Sequence, residues 1–360
     1  MPVSDYFSHD YATARERFRV AAEAAGAAQQ SYELSGHRGP SGEPLSIDVA
    51  RLGPLSATRA LVILSGTHGV EGLCGSGCQI GYLSDQLYRA LPPDSCALLV
   101  HALNPYGFAW LRRVNEDNVD LNRNFIDFSA PLPSSSAYEP LHPALVPQEW
   151  DGEPRLAADR ALMEYAERHG FRALQAAVSS GQYTCPDGLF YGGRGPTWSA
   201  RTLVRLLSEH LPSARRVVVL DLHTGLGPPA YGEPILVPSS AEDVKRAHDW
   251  FGPEVKDLSG GQSVSAVLRG TLAAGFATAL PGAELTFIGL EFGTRPVLEV
   301  LTALRADHWL HARRPHDERR SAIEQQMRAA FYFDAPDWQA AVYGRAADFA
   351  YRASRGLSSP

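Results

Sequence analysis

Lysine is almost missing from this chain of 360 residues: of 33 basic side chains only Lys245 and Lys256 are lysines, and the rest are arginines. Acidic residues number 40, giving a formal charge of −7. No arginine cluster is dense enough, or interleaved enough with aromatics, to make a nucleic-acid face, so a polyanionic partner is excluded. Cysteine is scarce too. Cys74, Cys78, Cys96 and Cys185 are too few and too irregularly spaced for a disulfide framework in a chain of this size. Cys74 and Cys78 have helical spacing, which admits metal binding, but a free cysteine ordinarily serves as a small buried apolar residue. Long apolar runs are also absent. The nearest, "LRGTLAAGFATALPG", is interrupted by Arg269, Gly275 and Pro281, so no membrane span is expected. The first thirty residues lack the basic start and apolar stretch of a secretory signal. The sequence predicts a soluble, cytoplasmic protein without a nucleic-acid or membrane partner.

What is present is an ordinary globular composition, 44% hydrophobic and 20% charged, without internal repeats. Short aliphatic runs at 60–66, 96–104, 215–225, 233–239 and 286–294 end in or near Gly, Asn or Ser. Near-continuous apolar character of this kind predicts strands buried on both faces of a parallel sheet. Helical patterns fall between or after them, at 5–27, 72–91, 155–178, 199–211, 318–332 and 336–354. The alternation predicts an α/β fold of three α/β/α layers around a mixed, mostly parallel sheet, with ligands at the carboxyl ends of the strands. We read residues 1–360 as one catalytic domain with a helical C-terminal extension over 300–360. Two stretches interrupt the alternation. Residues 126–156, rich in proline and serine, read as a structured surface loop or a flap, and 181–198, "GQYTCPDGLFYGGRGPTW", as a loop that walls a pocket.

The motif that carries chemistry is "LSGTHGVEGLCGSG", directly after the first apolar run. His68 and Glu71, three apart at the start of a helix, project to the same side and can reach one ion. That spacing alone specifies nothing, because two residue types recur at it by chance. A third donor is offered by "VVVLDLHTG", where Asp221 and His223 stand two apart and so share one face of a strand end. Two histidines and a glutamate make the three-donor set of a catalytic zinc with one open position, and Asp221 is placed to orient His223. One Zn2+ is the expected cofactor. In "LTFIGLEFGT", Glu291 is a carboxylate inside an apolar strand, which is costly unless the group is paired or used. Such surroundings raise its pKa toward the range of a general base; a structural salt bridge is the rival reading. "NPYGFAWLRRVNEDNVDLNRNF" adds Arg112, Arg113 and Arg123, and Asn122 with Arg123 suits a bidentate grip on a carboxylate.

Taken in order, "THGVEG", "NPYGFAWLRRVNEDNVDLNRNF", "DLHTG" and "LEFGT" resemble the zinc carboxypeptidase family, the metallocarboxypeptidases of clan MC, and specifically its DUF2817 branch. The resemblance runs over roughly residues 45 to 300 and rests on the order of the four motifs. It implies that His68, Glu71 and His223 ligate zinc, that Glu291 is the base acting on the attacking water, and that Asp120 orients His68. It also implies that Arg113, with Arg112 as the near alternative, polarises the scissile carbonyl, while Asn122 and Arg123 hold the substrate's carboxylate. One departure stands out. Peptide-trimming members carry a tyrosine on a loop shortly before the catalytic glutamate, and residues 257–290 contain none; Tyr183, Tyr191 and Tyr231 are candidates to replace it. The expected activity is zinc-dependent hydrolysis of an amide, in a peptide or an N-acyl amino acid, on a small molecule or short peptide with a free carboxylate. The nearest rivals are an aspartoacylase- or desuccinylase-like deacylase, whose relatives carry a β-rich domain after that glutamate, and a zinc-binding pseudoenzyme.

Overall fold

The computed structural model describes residues 2–134, 136–237, 240–257 and 263–359. Eight strands make one sheet: β1 (Ala28–Arg38), β2 (Pro44–Leu52), β3 (Arg59–Leu64), β4 (Ser95–His101), β5 (Arg216–Pro229), β6 (Glu233–Leu236), β7 (Lys256–Asp257) and β8 (Glu284–Gly293). Their order is β1-β2-β4-β3-β5-β8-β6-β7. The centre, β4-β3-β5-β8, is parallel throughout, while β1 and β2 extend one side and β6 the other by antiparallel pairing. This is the mixed, mostly parallel α/β sheet that the apolar runs predict.

The central strands are buried on both faces, and their side chains sort by parity. Leu61 and Ile63, Leu99, and Leu220 and Leu222 enter one core, packed against the helices Gly72–Ser84 and Pro336–Leu357. Val62 and Leu64, Leu98, and Val217 and Val219 enter the other, beneath the helices Trp198–His210 and Leu272–Ala279. Asp221, His223 and Glu291 continue the second parity beyond the apolar layer. The same face that is core lower down becomes the floor of a site at the strand ends. A third cluster, formed by the helices Gly152–His169, Phe171–Ser179, Val297–Arg313 and Arg320–Phe331, walls that site.

Several expectations need adjustment. β1 and β2 were not anticipated: β1 buries only Tyr32 and Leu34 of its eleven residues, so it carries almost no apolar signal. The run expected over 233–239 is a strand only over Glu233–Leu236, and positions 238 and 239 lie outside the described residues. The single helix expected over 155–178 is broken at Gly170, whose φ of +90° is left-handed. Residues 126–156, apart from 135, carry local structure of their own. Glu139–Leu141 and His142–Leu145 are short helices, and Tyr138, Leu141 and Leu145 are buried in the third core. No helix of the described residues is long and apolar enough to cross a membrane.

Candidate metal centre and active site

Beyond β3 the chain turns sharply and re-enters as helix, which explains the glycines of the motif. Gly66 adopts φ +66°, and a Cβ on Gly69 would stand 2.0 Å from the backbone carbon of Gly107. The close approach lets the N–H groups of Gly69 and Val70 donate to the carbonyl oxygens of Arg113 (3.1 Å) and Arg112 (2.9 Å). Thus the turn that carries His68 and Glu71 is stitched to the arginine segment. On the other flank, parallel pairing sets His223 of β5 opposite Glu291 of β8, and Asp221 opposite Gly289. Paired residues leave a sheet on the same face, so His223 and Glu291 point into one space.

His68, Glu71 and His223 converge there. His68 Nδ1 lies 2.9 Å from Glu71 Oε1 and 3.2 Å from His223 Nδ1, and His223 Nδ1 lies 3.0 Å from Glu71 Oε2. A tetrahedral ion with bonds near 2.0–2.1 Å holds its donors about 3.3 Å apart, so both spacing and donor chemistry fit zinc. Outer carboxylates orient both rings. His223 Nε2 is 2.7 Å from Asp221 Oδ2, whose other oxygen accepts from the Thr67 hydroxyl at 2.7 Å. His68 Nε2 is 3.2 Å from Asp120 Oδ1, which also accepts the Asn122 N–H at 2.9 Å. Arg113 closes the cluster: Nε donates to Asp120 Oδ2 at 3.0 Å, Nη1 to Glu71 Oε1 at 3.2 Å, and Nη2 to His68 Nε2 at 2.7 Å. His68 Nε2 thus faces both a donor, Arg113, and an acceptor, Asp120, and its role follows the tautomer of the ring. An ion held through Nδ1 would leave the proton on Nε2, where Asp120 Oδ1 is placed to accept its hydrogen bond.

The charges are tightly coupled. Burial disfavours a charged His223, but Asp221 and Glu71 outweigh it and hold the imidazole protonated well above its usual range. Burial likewise opposes ionisation of Glu71 and Asp120, yet both stay well below the carboxylate range, Glu71 because of His68 and His223, Asp120 because of Arg113 and His68. An ion must therefore displace the His223 proton. Because that proton must leave before the ring can bind an ion, apparent zinc affinity should rise with pH. Chelator competition at several pH values checks this; a flat profile contradicts it.

Glu291 behaves differently. Burial, reinforced by the negative charge of Glu71, pushes its pKa up to about 7. Its Oε1 accepts the Leu226 N–H at 2.9 Å, and among the described residues it makes no ion pair, which argues against the salt-bridge reading. A carboxyl group so placed can take and return a proton near neutrality.

A cavity of about 240 Å³ opens at these strand ends, with His68, Arg113, Asn122, Arg123, His223 and Glu291 on its wall. Arg123 is buried, which lowers its pKa to about 10. Its Nε and Nη2 donate to Ser179 O at 3.0 and 2.6 Å, and its Nη1 donates to Asn122 O at 2.8 Å. Those bonds fix the guanidinium and leave further N–H groups of Nη1 and Nη2 for a carboxylate. Asn122 is itself held, its Oδ1 accepting the Leu272 N–H at 3.0 Å. Phe190, from the 181–198 loop, lies under both guanidinium groups, 5.1 Å from Arg113 and 5.6 Å from Arg123.

Two sequence expectations are corrected. Arg112 is not at the site. Its guanidinium is buried against Asp307, with Nε 3.1 Å from each carboxylate oxygen and Nη2 3.0 Å from Oδ2, and Nη2 also donates to Asn118. Replacing it with methionine leaves Asp307 buried without its main partner and should cost about 3–5 kcal/mol of stability, read as a lower denaturant midpoint. Nor does a candidate tyrosine face the cavity. Tyr183 donates to Arg123 O at 2.8 Å from behind the wall, and neither Tyr191 nor Tyr231 lines the opening. The apolar lining, from Leu174 and Val178 to Leu301 and Phe331, was not foreseen, because no motif marks it. Cys74 and Cys78 are buried in the first core and do not join the donor cluster.

Comparison with solved structures finds several of related outline. A carboxypeptidase A from Helicoverpa armigera is 14% identical, with 89% of this chain and 74% of that one covered at a TM-score of 0.48. A murein-tripeptide amidase from Escherichia coli O157 is 16% identical, with 81% and 93% covered at a TM-score of 0.37. A succinylglutamate desuccinylase from Chromobacterium violaceum is 14% identical, with 84% and 74% covered, also at 0.37. Comparison with curated proteins finds no match. The family described as "Protein of unknown function (DUF2817)" matches residues 7–345, and the chain belongs to it.

Proposed function

We propose that the protein is a zinc-dependent hydrolase that cleaves an amide bond in a substrate carrying a free carboxylate. The observation that carries this reading is the convergence of His68 Nδ1, His223 Nδ1 and the Glu71 carboxylate within 4.8 Å, on a face that also presents Glu291. A divalent ion held by those three groups supplies Lewis acidity and a water of lowered pKa. The remaining work belongs to side chains. Asn122 and Arg123 bind the carboxylate and fix the register of the substrate. Arg113, delivered by the segment bonded to the His68 turn, donates to the carbonyl oxygen where negative charge develops. Glu291 takes a proton from the attacking water and returns it to the leaving nitrogen. Asp120 and Asp221 keep the two imidazoles in register.

Helices and no strand follow β8 among the described residues. The pseudoenzyme reading gives no reason for a half-buried carboxylate without an ion-pair partner among the described residues to face the donors. The test is a screen of the zinc-loaded protein against dipeptides and N-acyl amino acids, each beside its carboxamide-terminated analogue. The free acids should be cleaved, and activity should vanish with a chelator and return with zinc. Equal turnover of the carboxamides would overturn the anchor, and no turnover of any amide would overturn the reading.

A further inference from the structure

The cavity's apolar lining falls into two lobes by origin, one on the sheet and one on the flanking helices. The first includes Ile235 of β6, which pairs with Gly289, together with Val237, Phe287 and Leu268. It suits the side chain of an apolar amino acid. The other lies past Glu291: a Cβ on Gly225 would stand 3.5 Å from Glu291 Oε1 and 3.2 Å from the Phe331 ring. From there it runs between the helices Phe171–Ser179 and Val297–Arg313, along Val178, Leu174, Val300, Leu304 and Leu301. Its mouth carries Phe171, Val297 and Leu298, which are 55%, 50% and 44% exposed. Exposed apolar residues gathered on the rim of a buried apolar channel mark a surface that expects an apolar ligand.

We infer that this second lobe receives a long hydrocarbon acyl chain, so that the substrate is an N-acyl derivative of an apolar amino acid. The inference rests on the amide-hydrolase reading and names its substrate class. A peptide extending the same way would have to bury its own N–H and C=O groups. The lobe offers them little: apart from Gln175 and Ser179, which already donate to Val264 O and Gln175 O at 2.7 Å each, its buried lining side chains are hydrocarbon, and the helix backbones are bonded internally. An alkyl chain makes no such demand. The charged lining residue on this side, Arg172, is exposed at the mouth. In the reaction the amide C–N bond breaks as water adds, its oxygen to the acyl carbon and its protons to the leaving nitrogen and solvent. The products are a fatty carboxylate and a free amino acid, with no further reactant required.

The experiment compares N-acetyl-, N-butanoyl-, N-octanoyl- and N-dodecanoyl-leucine with Ala-Ala-Leu. It reads kcat/KM on the zinc-loaded protein and calorimetric affinity on zinc-loaded Glu291→Gln. Each added methylene should raise kcat/KM and affinity about three- to fourfold until the lobe is filled, on the order of a thousandfold from acetyl to octanoyl if all six methylenes are accommodated. Leu301→Asp should flatten that dependence, as should Leu298→Asp, whose exposed position keeps the fold out of question. Rates and affinities independent of chain length, or matched by the tripeptide, would overturn the inference, while cleavage of N-acetyl-leucine would leave the hydrolase reading standing. Binding that strengthens with chain length but without cleavage would retain the acyl lobe and overturn the hydrolase reading.

Discussion

Replacing Glu291 with glutamine leaves the fold and the bound zinc intact and lowers kcat by a hundredfold or more, within the 10²–10⁴ range of a lost general base. Glutamine has the same shape and still accepts the Leu226 N–H, so the strand end is undisturbed. What disappears is the ability to take a proton. The wild-type rate should rise with pH through a limb at or below about 7, because burial and Glu71 raise the Glu291 carboxyl to that value while a bound cation pulls it back down. The sign follows from the role: the active form is the deprotonated one, so acid abolishes activity. An unchanged kcat in Glu291→Gln, or an activity that falls with rising pH across this range, would remove Glu291 from the reaction.

Arg113→Met should cost about 10²–10³ in kcat, the effect of deleting one donor aimed at a developing oxyanion, with a smaller change in KM. Methionine keeps much of the apolar stem against Phe190 but removes all three donors that reach Asp120, Glu71 and His68. Loss of those bonds also loosens the His68 ring, so zinc affinity should weaken measurably. Steady-state kinetics at saturating zinc separate the two effects. A variant with normal kcat and raised KM would make Arg113 a binding residue only.

The sheet was legible where a strand is a continuous apolar run, which has few other uses; β2 is buried as well, but Ser46 and Asp48 interrupt its run. It was not legible in β1, which is polar and exposed along most of its length, or in β7, which is two residues long. The donors were legible for a geometric reason: residues two apart at a strand end share a face, and residues three apart in a tight helical turn share a side. Arg112 and Arg113 could not be separated in this way. Which neighbour turns inward is decided by Asp307, 195 residues further on, whose carboxylate captures Arg112 and leaves Arg113 to the site. The missing tyrosine was correctly noted as missing, yet spacing had no means of showing that none of its proposed substitutes reaches the cavity. The apolar lobes were invisible for the same reason as Asp307. Leu174 and Leu301 come from remote helices, and each alone reads as ordinary core.

Two imidazoles and one carboxylate, brought together from remote segments, should hold a single divalent ion. A zinc K-edge absorption spectrum of the zinc-reconstituted protein, taken beside its metal content, addresses it directly. The account predicts one zinc per chain, with nitrogen and oxygen neighbours at about 2.0–2.2 Å, and a spectrum lost in His223→Ala. A sulfur neighbour at about 2.3 Å, or stoichiometric zinc retained unchanged in His223→Ala, would contradict it.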